Sequence, residues 1–228
     1  MIRHLAFRLR FASRRFAAQE SGVAMIEFAF VLPIVVLMSL TGAELTHYIT
    51  VKMRMSQIAL SIADNAARMG NGTSLAAKTV TETDINDVFI GAQLGAGGLD
   101  LPNNGRVILS DLEPVASGAT TYTIKWQRCF GAKTHPSSYG VTGNTNMTGM
   151  GPVGRQVTAQ DANATMFVEL YYVYKPVLKL AWAPTTTLTE TASMAVRDRR
   201  DLSSDAGTTN PTHPQGIYKV AGVTASTC

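Results

Sequence analysis

The chain has 228 residues, of which 46% are hydrophobic, and carries 20 Lys and Arg against 16 Asp and Glu, for a net charge of +4. All of that excess lies in residues 1–22, where Arg3, Arg8, Arg10, Arg14 and Arg15 outweigh Glu20, while residues 23–228 balance 15 basic with 15 acidic side chains. The pI of about 9.2 is therefore no nucleic-acid signature. A basic cluster directly ahead of an apolar run follows the positive-inside rule, which places residues 1–22 in the cytoplasm as a basic leader and the remainder outside.

The apolar run extends from Val23 to about Ala43, 21 residues. A bilayer core of roughly 30 Å needs about 20 helical residues, so this segment is long enough to cross one, and only a helix does so alone. One acid, Glu27, lies near its start. A charge at mid-bilayer costs about 2.5 to 3.5 kcal/mol on insertion scales, so Glu27 either stays close enough to the headgroups to remain wet or meets a partner on assembly. Pro33 removes one backbone donor inside the run and bends or loosens the helix there, a feature tolerated in membrane helices.

Gly22 sits where the leader meets the apolar run, and Glu27 follows it by five positions. The stretch Gly22-Val-Ala-Met-Ile-Glu-Phe-Ala-Phe-Val-Leu-Pro33 resembles the N-terminal region of TadE/TadG-like pseudopilins, minor pilins of tight-adherence (Tad, Flp) pilus systems. The resemblance implies cleavage by a membrane-embedded prepilin peptidase between Gly22 and Val23, with Glu27 and Phe28 serving recognition and assembly. It implies as partners the other pilins, the inner-membrane assembly platform and membrane lipid, in a single-pass protein with a periplasmic C-terminal domain. Cleavage would free a positive amine on Val23, and the Glu27 of a neighbouring subunit would meet that charge in a packed helical bundle, where each offsets the desolvation of the other. Glycine suits a scissile position because it lacks a Cβ and presents an uncrowded, extended peptide.

Two other readings of the N-terminus exist. Without cleavage, the same segment is a permanent anchor for a periplasmic binding or adhesive domain. An ordinary secretory signal is the second, with Ser13-Arg-Arg-Phe16 as a twin-arginine-like motif and Thr41-Gly-Ala43 as a small-x-small cleavage site. A signal core, however, is typically 7 to 15 residues and has no use for an acid.

Beyond the run, Tyr48, Val51, Met55, Ile58, Ile62, Ala66 and Met69 recur at three- and four-residue steps, with Lys52, Arg54, Asp64 and Arg68 between them. This periodicity predicts an amphipathic helix continuous with the span, 23–69 in all and about 70 Å long, ending at the stop signal Gly70-Asn-Gly72. Residues 70–200 then form a head domain. Thr83-Asp84 is expected to cap a helix over 85–94 that ends at Gly95-Ala-Gly-Gly98. Strands are expected over 106–112 and 121–129, forming a hairpin with Tyr122, Ile124 and Trp126 on one face, and over 165–174 and 187–196, with a loop-rich stretch over 131–162 between the pairs. The fold class is α+β: a long N-terminal transmembrane and amphipathic helix with a small antiparallel β-sheet head. Phe167-Val-Glu-Leu-Tyr-Tyr-Val-Tyr-Lys-Pro176 followed by Leu188-Thr-Glu-Thr-Ala-Ser-Met-Ala-Val-Arg197 is similar to the closing strand pair of the same family. The tail, 201–228, reads as poorly ordered loop apart from its terminal cysteine.

Cys129 and Cys228 are the only cysteines, and both follow the span, so an oxidising periplasm favours a disulfide between them. Catalytic motifs are missing. His4, His47, His135 and His213 lack paired metal-ligand spacing, so no metal is expected. Gly149-Met-Gly-Pro-Val-Gly154 follows no strand and reads as loop rather than a dinucleotide fingerprint, and Gly91–Gly98 lacks the Lys-Ser/Thr of a phosphate loop. Nothing in the sequence sets two of Asp111, Glu113, Glu169 and Glu190 across a cleft as a glycosidase pair. The expectation is a protein without cofactor, enzymatic activity or nucleic-acid partner.

Overall fold

The computed structural model describes residues 20–73, 75–178 and 187–228. The leader arginines, His4 and the Ser13–Phe16 motif lie outside the described residues. Two compact units divide the chain, 1–47 with 177–183 and 48–176 with 184–228.

Helix α1, Glu20–Arg68, enters the second unit at Tyr48. There the expected stripe is the buried one: Val51, Met55, Ile58, Ile62, Ala66 and Met69 enter the core, joined by Ala59, Ala63 and Ala67 on the same side. Tyr48 is half-buried and meets Tyr174 edge-on at 5.3 Å between ring centroids. The helix stops where expected. Gly70 has φ 109°, and a Cβ there would lie 2.8 Å from the Thr79 carbonyl oxygen, so both the left-handed turn and the close chain approach require glycine.

A short strand β1, Val80–Thr81, leads into α2, Glu82–Gly95. The cap is Thr81, not the expected Thr83-Asp84 pair: its hydroxyl accepts from Asp84 N at 3.2 Å while the Asp84 carboxylate accepts from Thr81 N at 2.8 Å, a reciprocal capping box. Pairing of β1 holds the preceding backbone extended, so the helix starts one turn earlier. One helical turn, α3 (Leu101–Asn104), follows before the sheet.

The sheet comprises β2 (Gly105–Pro114), β3 (Tyr122–Phe130), β4 (Thr165–Val173) and β5 (Thr187–Ala195), antiparallel throughout in the order β3-β2-β4-β5. Thus β2 and β3 form the expected hairpin. Their register slips between Asp111 and Leu112, where Asp111 pairs with Trp126 and Leu112 with Ile124, leaving Lys125 as the extra residue of a bulge. The slip corrects the expected face of β3. Trp126 joins Val107, Leu109, Met166, Val168 and Leu170 in the core beneath α1 and α2, whereas Ile124 joins Leu112 and Phe167 in a smaller cluster on the opposite face.

The opposite face is covered in part by the 131–162 connection, whose backbone bridges β3 through Tyr122 to Met147 and bonds Ile124 to Asn144. Past Asp201 the chain carries little regular structure but is well tied, contrary to the loose tail expected. Ile217–Tyr218 forms β6, parallel to β1, and the Tyr218 hydroxyl donates to Asp201 at 2.7 Å. Asp205 accepts from Thr212 Oγ1 and the His213 backbone at 2.8 and 2.9 Å, closing a local loop. The Cys129–Cys228 disulfide is formed with its Cα atoms 4.9 Å apart, beside a backbone bond from Cys129 N to Ser226 O at 2.7 Å.

Candidate functional site

The expected cleavage junction lies in the first turn of α1, because the helix begins at Glu20 and runs through Gly22 and Val23 without a break. The extended peptide anticipated for Gly22 is thus helical here. Nothing lies within 4 Å of where a Gly22 Cβ would be, and Val23 is 60% exposed, so the junction is sterically open. A serine and a glycine in that turn make its helical state weak, since glycine alone costs about 1 kcal/mol relative to alanine. Unwinding that turn is correspondingly cheap.

From Val23 to Leu40 the large apolar side chains all remain exposed, Phe28 at 64% among them. The helix is long and apolar enough to cross a membrane, and none of its most apolar window is buried by the protein itself. Its hydroxyls are arranged for an apolar surrounding. Ser39 Oγ donates to the Val35 carbonyl at 2.8 Å and Thr41 Oγ1 to the Leu37 carbonyl at 2.6 Å, each satisfied on its own helix four residues back. Such back-bonding removes the need for water.

Glu27 differs, since among the described residues it forms no ion pair or hydrogen bond. It shares the first turns of α1 with Gly22, Val23 and Phe28, so the four predicted residues lie together on one short helical segment. A second acid, Glu44, closes the apolar run and was not singled out from sequence. It is 3% exposed, and its Oε2 accepts from the Leu178 backbone N at 2.9 Å. The signal was its position immediately after the last residue of the span.

Buried charge also concentrates in the head. Arg128 on β3 grips Glu82, in the first turn of α2, through two bonds of 3.0 and 2.5 Å, with only 8% and 7% of the side chains exposed. Arg200 donates from Nη2 to the carbonyls of Ala66 at 2.9 Å and Met69 at 3.1 Å, capping the end of α1. Asp111 and Glu113 stand near that guanidinium. Burial first, then the neighbouring Glu113 charge, pushes the Asp111 carboxyl well above the usual carboxylate range, with Arg200 opposing. None of these roles was readable from sequence, because each depends on which strand faces come together.

A concavity of about 670 Å³ in the head lies over β4 and β5 and is walled by His135, Tyr139, Pro152 and Arg155. His135 stacks on Tyr171 at 4.2 Å, and the Glu169 carboxylate accepts from the Ser137 hydroxyl and from Ser138 N at 2.8 Å. Burial raises the Glu169 pKa while those bonds and His135 pull it down. Glu190 also borders this space, but Glu169 pairs with Thr191 and Glu190 with Leu170, so the two carboxylates project from opposite faces of the sheet. Among the described residues no cluster of His, Cys, Asp and Glu fit to hold a metal occurs. The Gly149–Gly154 run is loop, with Gly149 and Gly151 at positive φ and Met150 bridged to Val157. No protein-family model, no curated protein and no solved structure matches the chain.

Proposed function

We propose that the chain is a minor pilin or pseudopilin of a tight-adherence pilus, inserted in the bacterial inner membrane with its head in the periplasm, cleaved after Gly22 by a prepilin peptidase and assembled through its N-terminal helix. It acts as a structural subunit without catalysis or cofactor and supports pilus biogenesis, adhesion or secretion. The observation that carries this reading is an apolar helix whose large side chains stay exposed and which holds an acid, Glu27, without a partner among the described residues, five residues after an open glycine junction. A helix left bare over about five turns needs lipid or neighbouring helices around it. The amine freed on Val23 is the counter-charge that Glu27 lacks.

A second reading is favoured by one feature, the unbroken helix across Gly22 and Val23. On that reading the segment is a permanent anchor for a periplasmic binding or adhesive head. Mass spectrometry of the protein extracted from membranes separates the two. A chain beginning at Val23, and its replacement by the longer form in cells without prepilin peptidase, is the expected result; the intact leader in wild-type cells would eliminate the pilin reading and leave the anchor.

A further inference from the structure

The two edges of the sheet are treated differently. On β3 the backbone is occupied: Tyr122 and Met147 exchange two bonds, Ile124 N donates to Asn144 O, Gly143 N donates to Ile124 O, and Cys129 N donates to Ser226 O. A bulge adds to this protection. On β5 none of these devices is present among the described residues. It pairs with β4 over nine consecutive positions, Thr165↔Ala195 to Val173↔Thr187, without a register shift, and Thr187–Ala195 contains no proline, no lysine and a single charge, Glu190. Thr187, Thr189, Thr191 and Ala195 are exposed. The large concavity reaches this edge, where five consecutive residues, Thr189–Ser193, help to line it, so the backbone itself forms part of its rim. A long, straight, open edge presents outward N–H and C=O groups to another strand, and proteins normally blunt such edges.

The composition of β5 indicates which strand fits. In antiparallel pairing with itself centred on Thr191, Glu190 falls opposite Ala192, Thr189 opposite Ser193, and Leu188 opposite Met194. Each pair matches in polarity or is neutral, and the faces agree, because the even-numbered residues that pack toward the core in one copy continue the same face in the other. Shifting the centre to Glu190 sets two carboxylates against each other, which disfavours that register. We propose that β5 is an interface between two copies of this chain, joining their four-stranded sheets edge to edge about a two-fold axis through Thr191. The pairing is isologous, as two-fold interfaces are, and it stands whether or not the leader is cleaved.

Site-directed cross-linking in the full-length protein, in native membranes and in detergent, tests this. Both native cysteines are engaged in one disulfide, so an introduced thiol reports alone. Thr191→Cys lies opposite itself and is expected to give a covalent homodimer on mild oxidation or with a short bifunctional maleimide. Thr189→Cys and Ser193→Cys are each expected to cross-link at least about tenfold less when present alone, and efficiently when the two variants are mixed, since opposed positions alone approach within cross-strand reach. Thr189→Glu with Ser193→Glu, both on the face opposite the main core, should reduce the Thr191→Cys dimer by about tenfold, and Thr189→Glu with Ser193→Lys should restore it. Equal cross-linking at all three single positions, no dimer at Thr191→Cys, or a product with the mass of a different polypeptide would each overturn the proposal.

Discussion

Replacing Arg128 by Met measures how the buried ion pair couples α2 to the sheet. The guanidinium makes two bonds to Glu82 and further bonds to the Gln127 carbonyl at 2.9 Å and Gln215 Oε1 at 3.4 Å, and both charged side chains are more than nine-tenths buried. Taking away one member leaves the Glu82 carboxylate in a low-dielectric pocket with its charge uncompensated, and such removals cost about 3 to 5 kcal/mol. For a head of this size each kcal/mol lowers the melting temperature by about 2 to 4 °C, so Arg128→Met should melt about 6 to 20 °C lower. Glu82→Leu combined with Arg128→Met removes both charges. It should recover most of the loss, because a buried pair gives back in mutual attraction little more than its two members lose in hydration. Recovery stays incomplete, since Gln127 and Gln215 still lose a donor. Thermal unfolding of the four proteins in the same detergent, followed by circular dichroism, completes the double-mutant cycle. A double variant that melts at or below the sum of the two single losses would refute the reasoning, because the charges would then be acting independently.

Three further outcomes follow from the same structure. Cys129→Ser with Cys228→Ser should lower the unfolding free energy by about 2 to 4 kcal/mol, because the bond closes a loop of 99 positions; an unchanged denaturation midpoint would contradict it. Asp111→Asn should stabilise the head near neutral pH and lose its advantage in acid. A carboxyl raised by burial favours folding fully only below its unfolded value near 3.8, and that contribution is lost as pH rises through the higher folded value, so wild type should fall behind the variant across that interval in melts taken at successive pH values. Parallel pH profiles for the two proteins would exclude the idea. Glu27→Gln should insert in the membrane as well as wild type, since the apolar run is untouched, yet enter fibres poorly, because the Val23 amine would be left without its counter-charge; comparison of membrane and fibre fractions checks this, and equal fibre content would remove the pairing.

What could be read from the residues alone divides along a physical line. Period and punctuation are local properties, so the stripe from Tyr48 to Met69 and the stop at Gly70 appear where the pattern places them, and so do the four long strands to within two residues. Two failures have causes that the local pattern does not carry. Thr81 caps α2 because β1 holds its backbone extended, and its partner in that pairing is Tyr218, more than a hundred residues away. The bulge at Lys125 turns Trp126 to the face opposite Ile124, and a single extra residue in a hairpin leaves no mark on an alternating pattern. Buried charge is harder still, for Arg200 reads as one of several arginines after β5 until the fold brings it to the carbonyls of Ala66 and Met69. Glu27 is the converse case. Its oddity is plain from sequence because the surrounding residues are apolar for five turns, and among the described residues it has no partner. An acid in an apolar helix that no described residue satisfies needs lipid headgroups, water or another charge to meet it, and this is why the composition of the N-terminus decides between the readings where packing within the head does not.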